Sequence, residues 1–490
     1  MEQPSIDRHP SSGSKDGIEQ SGILAGAEGA AVLPRSTPAL GIVVLVAWLV
    51  GNATFGAPFS HIHIGPIYIT EILLAVLLLA YLMQGLSGSL PLPQKRSSIL
   101  LFVLITAYIF YGVCRLIAGL IFSGDAPLEL LRNFGLVHYS AFVFVSFFAV
   151  AGALTAKRVL SAQWAILISS TLANTFSMFL FFSKFGAVAN YETKVIGGDV
   201  VLYTLFTIIF LWVLLQDRER RIGRSRAQAF LLWGLLPLNF LFVWLSGHRS
   251  ALLALAAAIV VVQVARGENA RAIRLVAGGA IAIGLATTLI GTVGESIRTI
   301  GMKYLTITSP MEEVDSLWRA LFWQAVLHLW RQALVFGVGF GYDLMKIQPF
   351  LTGSLGERGD PHNSYLAIGV RMGMVGISLV LAIFACYFII MLRTARQGNP
   401  QLRLLSSVLL GEFVAVAVFA SMNVTLEGPF EGGLLWMCIG MVLAVTEQFR
   451  ATLPMPAAQS RYAPYPNLLS YAAAIACRQE SSRAGSDKSR

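Results

Sequence analysis

The feature that most constrains this chain is serial: long apolar runs follow one another, separated by short polar loops, from about residue 39 to residue 448. Crossing about 30 Å of hydrocarbon takes about 20 apolar residues of helix. Lipid offers backbone N–H and C=O groups no partner, so each run must satisfy its own by coiling. The runs fall at 39–54, 69–84, 99–122, 137–153, 160–182, 199–216, 229–246, 250–265, 273–293, 364–392, 404–424 and 432–448. Composition agrees, with 56% hydrophobic and 13% charged residues, against roughly 25% charged in a soluble domain. The sequence predicts an all-α, polytopic membrane bundle of about 12 transmembrane helices. The run at 250–265 is short for a complete span. The first run also admits an extended or re-entrant reading around Gly51 to Gly65.

Residues 1–37 and 449–490 flank a transmembrane domain at 38–448. The first 37 are rich in Ser, Gly and Pro, with no basic stretch leading into an apolar core, so no cleavable signal peptide is read there. Both flanks are expected to be disordered cytoplasmic tails. The net charge of +10 is dispersed among loops, where it sets topology and offers no nucleic-acid surface.

Lys and Arg in short loops mark the inner face. With the N-terminus inside, the inner loops carry Lys95, Arg96, Lys157, Arg158, Arg218, Arg220, Arg221, Arg224, Arg226, Arg266, Arg271, Arg274, Arg393, Arg396 and Arg403. The outer short loops carry Arg132, Lys184 and Lys194. Both termini are therefore expected in the cytoplasm. The one long polar interruption, 294–363, is expected outside, which in a Gram-negative cell is the periplasm. A loop there meets no ATP or NAD. The Gly337-Val-Gly-Phe-Gly341 run follows a helical stretch rather than a strand, so it fails as a dinucleotide fingerprint and reads as a tight turn or close-packing element. No cofactor is expected.

Within this loop, Ser309-Pro310 followed by Glu312 and Glu313 reads as a helix start. The helix would run to about Phe336 with a broad apolar face. Cys114, Cys386 and Cys438 lie in apolar runs and Cys477 in the tail, so no disulfide is expected in the loop. His61 and His63 lack a nearby carboxylate before Glu71, which argues against zinc. No metal site is expected.

Three groups carry candidate chemistry. Ser246-Gly-His-Arg-Ser250 makes a tight outer turn that sets His248 and Arg249 at the head of a span. An arginine at that depth is costly unless it is paired, snorkels or faces a polar cavity. Its planar fork suits the phosphate of a lipid substrate; lipid headgroup binding is the plainer reading. Arg319 follows Asp315 by one helical turn, so a local ion pair is its plain reading. Its sharper reading is charge balance for a pyrophosphate leaving group. His362, followed by Asn363, sits where the polar loop meets the next span. A neutral imidazole there can accept a hydroxyl proton. Arg115 and Arg132 are read as lining one outer cavity, with ordinary interhelical pairing as the plainer reading. Glu71, Arg371, Glu412, Glu427 and Glu431 are further charges in or at the ends of spans.

In order, these stretches resemble the bacterial O-antigen ligase and O-antigen polymerase superfamily. The likeness rests on Ser246 to Leu252, on Arg319 to Trp323 continuing to Val335-Phe-Gly-Val-Gly-Phe-Gly341, and on Pro361-His-Asn-Ser-Tyr-Leu366 followed by Gly373-Met-Val-Gly376. It covers about 230–390. Val335 stands where the family commonly has proline, and Arg371 where it often has an acidic residue. The resemblance implies a C-type glycosyltransferase-like fold and a metal-independent transfer. It also implies a donor glycan on undecaprenyl pyrophosphate and, as acceptor, the lipid A core or another lipid-linked repeat unit. Carried over by position, Arg249 and Arg319 would hold the pyrophosphate. His362 would activate the acceptor hydroxyl, with Asn363, His248, Arg115 and Arg132 as further substrate contacts. A transporter or flippase of lipid-linked oligosaccharides is the competing reading, opposed by the lack of an internal repeat. A membrane scaffold is the third.

Overall fold

The computed structural model describes residues 36–65, 67–86, 90–122, 127–152, 154–185, 200–217, 225–268, 274, 314–347, 360–397 and 399–452. The expected run at 273–293, the helix start at Ser309–Pro310 and both tails lie outside them.

The regular structure of the described residues is helical apart from a short hairpin in which His63–Ile64 pairs antiparallel with Ile67–Tyr68. The helices are α1 (Ser36–Phe55), α2 (Ala57–Ser60), α3 (Ile69–Leu86), α4 (Arg96–Phe122), α5 (Pro127–Asn133), α6 (Gly135–His138), α7 (Phe142–Val150) and α8 (Thr155–Phe185). They continue with α9 (Val201–Gln216), α10 (Arg226–Leu245), α11 (Arg249–Ala265), α12 (Val314–Gln332), α13 (Ser364–Gln397), α14 (Pro400–Ala420) and α15 (Glu431–Thr452). Every apolar run except 273–293 falls on these helices. Among the described residues, seven helical stretches are long and apolar enough to cross a membrane, and three further apolar helices are shorter. Two of the expected spans are short: α9 and α11 have 16 and 17 residues, about 24–26 Å of helix. The first run is helical to Phe55. Only the segment after it, with the hairpin, is irregular.

Local chemistry sets the helix starts. Ser225 and Gln228 form a reciprocal capping box at α10, satisfying two otherwise orphaned N–H groups. Asn399 caps α14 through Leu402 N, with Pro400 in the first turn. Packing sets the rest. α9 and α14 are buried almost all round, as apolar-all-round helices must be. α11 and α13 lie against α14, α15 lies against α7, and α4 lies against α13. Buried polar residues pair between helices: Asn174 Nδ2 donates to Thr204 Oγ1 at 2.8 Å, and Gln163 Nε2 donates to Glu412 Oε2 at 2.9 Å. Such pairs are the outlet for polar groups in lipid.

One span departs from its expected course. α13 is broken at Gly373, where φ is 67° and ψ is −166°. A break in lipid frees backbone groups that must find partners in protein. The glycine turn after α12 supplies them. Val338 N donates to Val370 O at 2.7 Å and Gly339 N to Arg371 O at 3.1 Å, while Met374 N and Val375 N donate to Leu334 O and Val335 O. Tyr111 OH donates to a further carbonyl at the break, that of Met372, at 2.8 Å. Gly337, with φ of 72°, lies so close that an added Cβ would strike the Arg371 backbone. The turn is thus a close-packing wedge, and it presents Arg371 at the break.

Candidate functional site

The residues picked out by the sequence converge on one short segment, the 421–430 connection between α14 and α15. Arg319, half-buried on α12, donates from Nη1 to Met422 O at 3.2 Å. Asn423 Nδ2 donates to Ser250 Oγ at 3.0 Å, tying in the start of α11 beside Arg249. Ser364 is buried two residues after His362. Its hydroxyl donates to Glu427 Oε2 at 2.6 Å and accepts from Thr425 N and Leu426 N, each at 3.0 Å. Three segments far apart in sequence are therefore held on a common scaffold.

Two tryptophans of α12 fix the loop end. Trp323 Nε1 donates to Pro361 O. The Trp318 ring stands edge-on to the His362 imidazole, centroids 5.6 Å apart. His362 itself has φ of 48°, the left-handed region that a residue with a Cβ enters at a cost. Asn363 does not point away as a free ligand: its Oδ1 accepts from Tyr365 N and Leu366 N, both at 3.1 Å. It is the N-cap of α13, which holds His362 just outside the helix.

A cavity of about 760 Å³ lies beside this junction, within the range of small-ligand sites. Arg132, Asp360, Arg371 and Glu427 line it, joined by Glu71, His138 and Tyr139 from the N-terminal half. Arg371 is 3% exposed. Its Nη2 donates to Asp360 Oδ1 at 3.2 Å, while Nε and Nη1 find no hydrogen-bond partner among the described residues. Glu427 Oε1 likewise finds none. Burial, then the nearby Asp360 charge, pushes the Glu427 carboxyl up to about 7, against the lowering pull of Ser364 and Arg371. Glu71 faces His138 at 3.4 Å and accepts from Tyr139 OH at 3.2 Å.

Of the other expected site residues, Arg132 lines the cavity and Arg115 does not. Arg115 Nη2 donates to Gly337 O at 3.1 Å, so its guanidinium is held by the glycine wedge. The shared cavity expected for this pair is therefore corrected: Arg115 turns to the wedge and does not line the cavity. His248 sits at the N-cap position of α11, and its backbone N donates to Ser246 Oγ at 3.4 Å. No three His, Cys, Asp or Glu side chains among the described residues form a metal-holding group. Sequence reasoning missed Ser364, Asn423, Asp360 and His138. Arg371, Glu427 and Glu71 were visible as charges in or beside apolar spans, and that was the one signal available for the cavity.

A family model described as O-antigen ligase matches residues 230–381. Over that stretch the chain is similar to the O-antigen ligase family. The matched stretch begins within α10 and ends within α13, and it contains Arg249, Arg319, the glycine wedge, His362, Arg371 and the Gly373 break. The 421–430 junction and the cavity wall from α3, α5 and α6 lie outside it. No curated protein matches the chain. One solved chain, described under "Structural coordination of polymerization and crosslinking by a peptidoglycan synthase complex", is 15% identical; the match covers 72% of this chain and 98% of that one with a TM-score of 0.42. That score does not establish a shared fold.

Proposed function

We propose that this membrane protein transfers a glycan from undecaprenyl pyrophosphate to a hydroxyl of the lipid A core or of another lipid-linked repeat unit. The carrying observation is the 421–430 junction, which ties the segments of Arg249, Arg319 and His362 together inside or beside the stretch similar to the O-antigen ligase family. The loop charge asymmetry supports an active site on the periplasmic face of the inner membrane, with both termini inside.

In the reaction, His362 Nε2 or Nδ1 takes the proton of the acceptor hydroxyl. The oxygen forms a bond to the donor's anomeric carbon as that carbon's bond to the pyrophosphate oxygen breaks. Undecaprenyl pyrophosphate leaves with the electron pair. Arg249 and Arg319 stabilise its charge, the kind of fixed positive charge that acts strongly where water is excluded. One displacement inverts the anomeric carbon. Asn363 positions His362 by capping α13, Arg115 stiffens the wedge, and Arg132 and His248 contact the glycan or lipid headgroups. Membrane lipids surround the site. The Gly373 break would suit a transporter, whose broken helices coordinate ions through unwound backbone. Here the freed groups are filled by the glycine wedge and Tyr111, which favours the transferase.

The test is a gel of surface glycans from a deletion strain complemented with wild type or His362→Ala. Polymer retained on carrier lipid identifies a ligase, and single repeat units in place of long chains identify a polymerase. Full restoration by His362→Ala at wild-type level removes His362 as the base. Normal glycans in the deletion strain would point to a redundant enzyme or another pathway.

A further inference from the structure

The cavity has a charge and hydrogen-bonding signature that selects among sugars. Among the described residues, five carboxyl groups line it, those of Glu71, Glu129, Asp343, Asp360 and Glu427, and two guanidiniums, Arg132 and Arg371, oppose them. Asp360 already engages Arg371. Arg371 Nε and Nη1 and Glu427 Oε1 are buried and unpartnered among the described residues, and the Glu427 carboxyl, pushed up to about 7, accepts there when ionised and donates when protonated. Buried polar groups find partners, and these would be matched by a ligand group that accepts on one side and donates on the other. A sugar hydroxyl pair or an acetamido group does both. A carboxylate or phosphate would satisfy Arg371 and then face the surrounding carboxylates, which like-charge repulsion opposes. Tyr68, Phe134 and Tyr342 add aromatic wall, suited to the C–H face of a pyranose.

We propose that this cavity binds a neutral or amino-bearing sugar unit of the transferred or receiving glycan, held between Arg371 and Glu427, and that it rejects uronates and phosphorylated sugars. The proposal rests on the glycan-transfer reading for what the bound sugar is for. It also assigns the pyrophosphate elsewhere, to the side of Arg249 and Arg319.

The test measures binding without turnover. Full-length protein in lipid nanodiscs is titrated with chitotriose, cellotriose and trigalacturonate, followed by saturation-transfer NMR. At least one neutral trisaccharide binds, and trigalacturonate binds at least about tenfold more weakly. Glu427→Gln weakens the neutral probe and narrows the gap to trigalacturonate. Because Arg371 is buried and its loss threatens folding, the half-buried wall residue supplies the second variant: Tyr342→Ala weakens the neutral probe in a folded protein. Equal or tighter binding of trigalacturonate, indifference of the neutral probe to both substitutions, or no trisaccharide binding at millimolar concentration overturns the proposal. Farnesyl-pyrophosphate-linked N-acetylglucosamine is then added. Displacement of the trisaccharide assigns the cavity to the donor glycan, and simultaneous binding assigns it to the acceptor; both uphold the sugar chemistry. Selective binding with no transfer sinks the transfer reading alone. Transfer without charge selection sinks only this one.

Discussion

Replacing Gly373 with alanine perturbs the broken span at its centre. Gly373 has φ of 67°, and a Cβ there would overlap the Val335 carbonyl and crowd Gly337 N. With ψ of −166° the backbone lies in a region open in practice to glycine alone, where an L-residue costs about 1–3 kcal/mol. Forcing an extra carbon into packed surroundings costs typically about 1–3 kcal/mol more. The struck atoms are backbone, and the 334–339 backbone is already bonded to 370–375, so relaxation is hard. The sum is about 2–6 kcal/mol, a severe loss for one methyl group. Function suffers as well, because Arg371 lies two residues before the break and Val370 O and Arg371 O anchor the wedge. Misplacement by about 1 Å can cost on the order of 10²-fold in rate. The assay is the apparent melting midpoint and half-life of purified protein in detergent, paired with a transfer rate. Gly234→Ala is the control: nothing lies within 4 Å of its added Cβ, and mid-helix alanine is favoured over glycine by about 1 kcal/mol. Gly373→Ala that melts and turns over like wild type would refute the wedge as the element that shapes the site.

Other outcomes follow from the same geometry. Ser364→Ala strands Glu427 Oε2 and two backbone N–H groups, so it should cost about 1–3 kcal/mol and lower kcat more than it raises KM; a fully active, equally stable variant would contradict the junction. Glu427, pushed up to about 7, favours its protonated form in the folded protein. Its contribution to stability is fully present below the ordinary glutamate range and is lost as pH rises through about 7. Glu427→Gln should therefore flatten the melting midpoint between about pH 4.5 and 7.5, and an unchanged pH profile would remove that burial argument. Arg249→Ala and Arg319→Ala should each lower transfer about 10²–10³-fold while the protein inserts and purifies normally; full activity in either removes that arginine from the pyrophosphate.

The spans were legible because hydrocarbon imposes a length and an apolar composition that leave a strong local signal. The start of α13 was half legible. Pro361-His362-Asn363 marks the boundary, but the sequence does not say whether Asn363 Oδ1 turns toward substrate or back to Tyr365 N and Leu366 N. The Gly373 break was invisible because Gly373-Met-Val-Gly376 lies in an apolar run whose composition also suits a straight helix. Its cause is the wedge some 35 residues upstream. Arg249, Arg319 and His362 were found by residue type and resemblance. What binds their segments together, the 421–430 connection, carries no motif and works through the backbone of Met422, Thr425 and Leu426 and the side chains of Asn423 and Glu427. The cavity was least legible, since no periodicity in sequence relates Glu71 and His138 to Arg371.

The most direct measurement reconstitutes the full chain in nanodiscs with an undecaprenyl-pyrophosphate-linked glycan and a hydroxyl acceptor, and follows the new glycosidic bond by mass spectrometry. Wild type is predicted to join donor glycan to acceptor and release undecaprenyl pyrophosphate, and His362→Gln to make no product while binding the donor as before. Product at the wild-type rate from His362→Gln, or donor moved across a bilayer by wild type with no bond formed, would contradict the transferase.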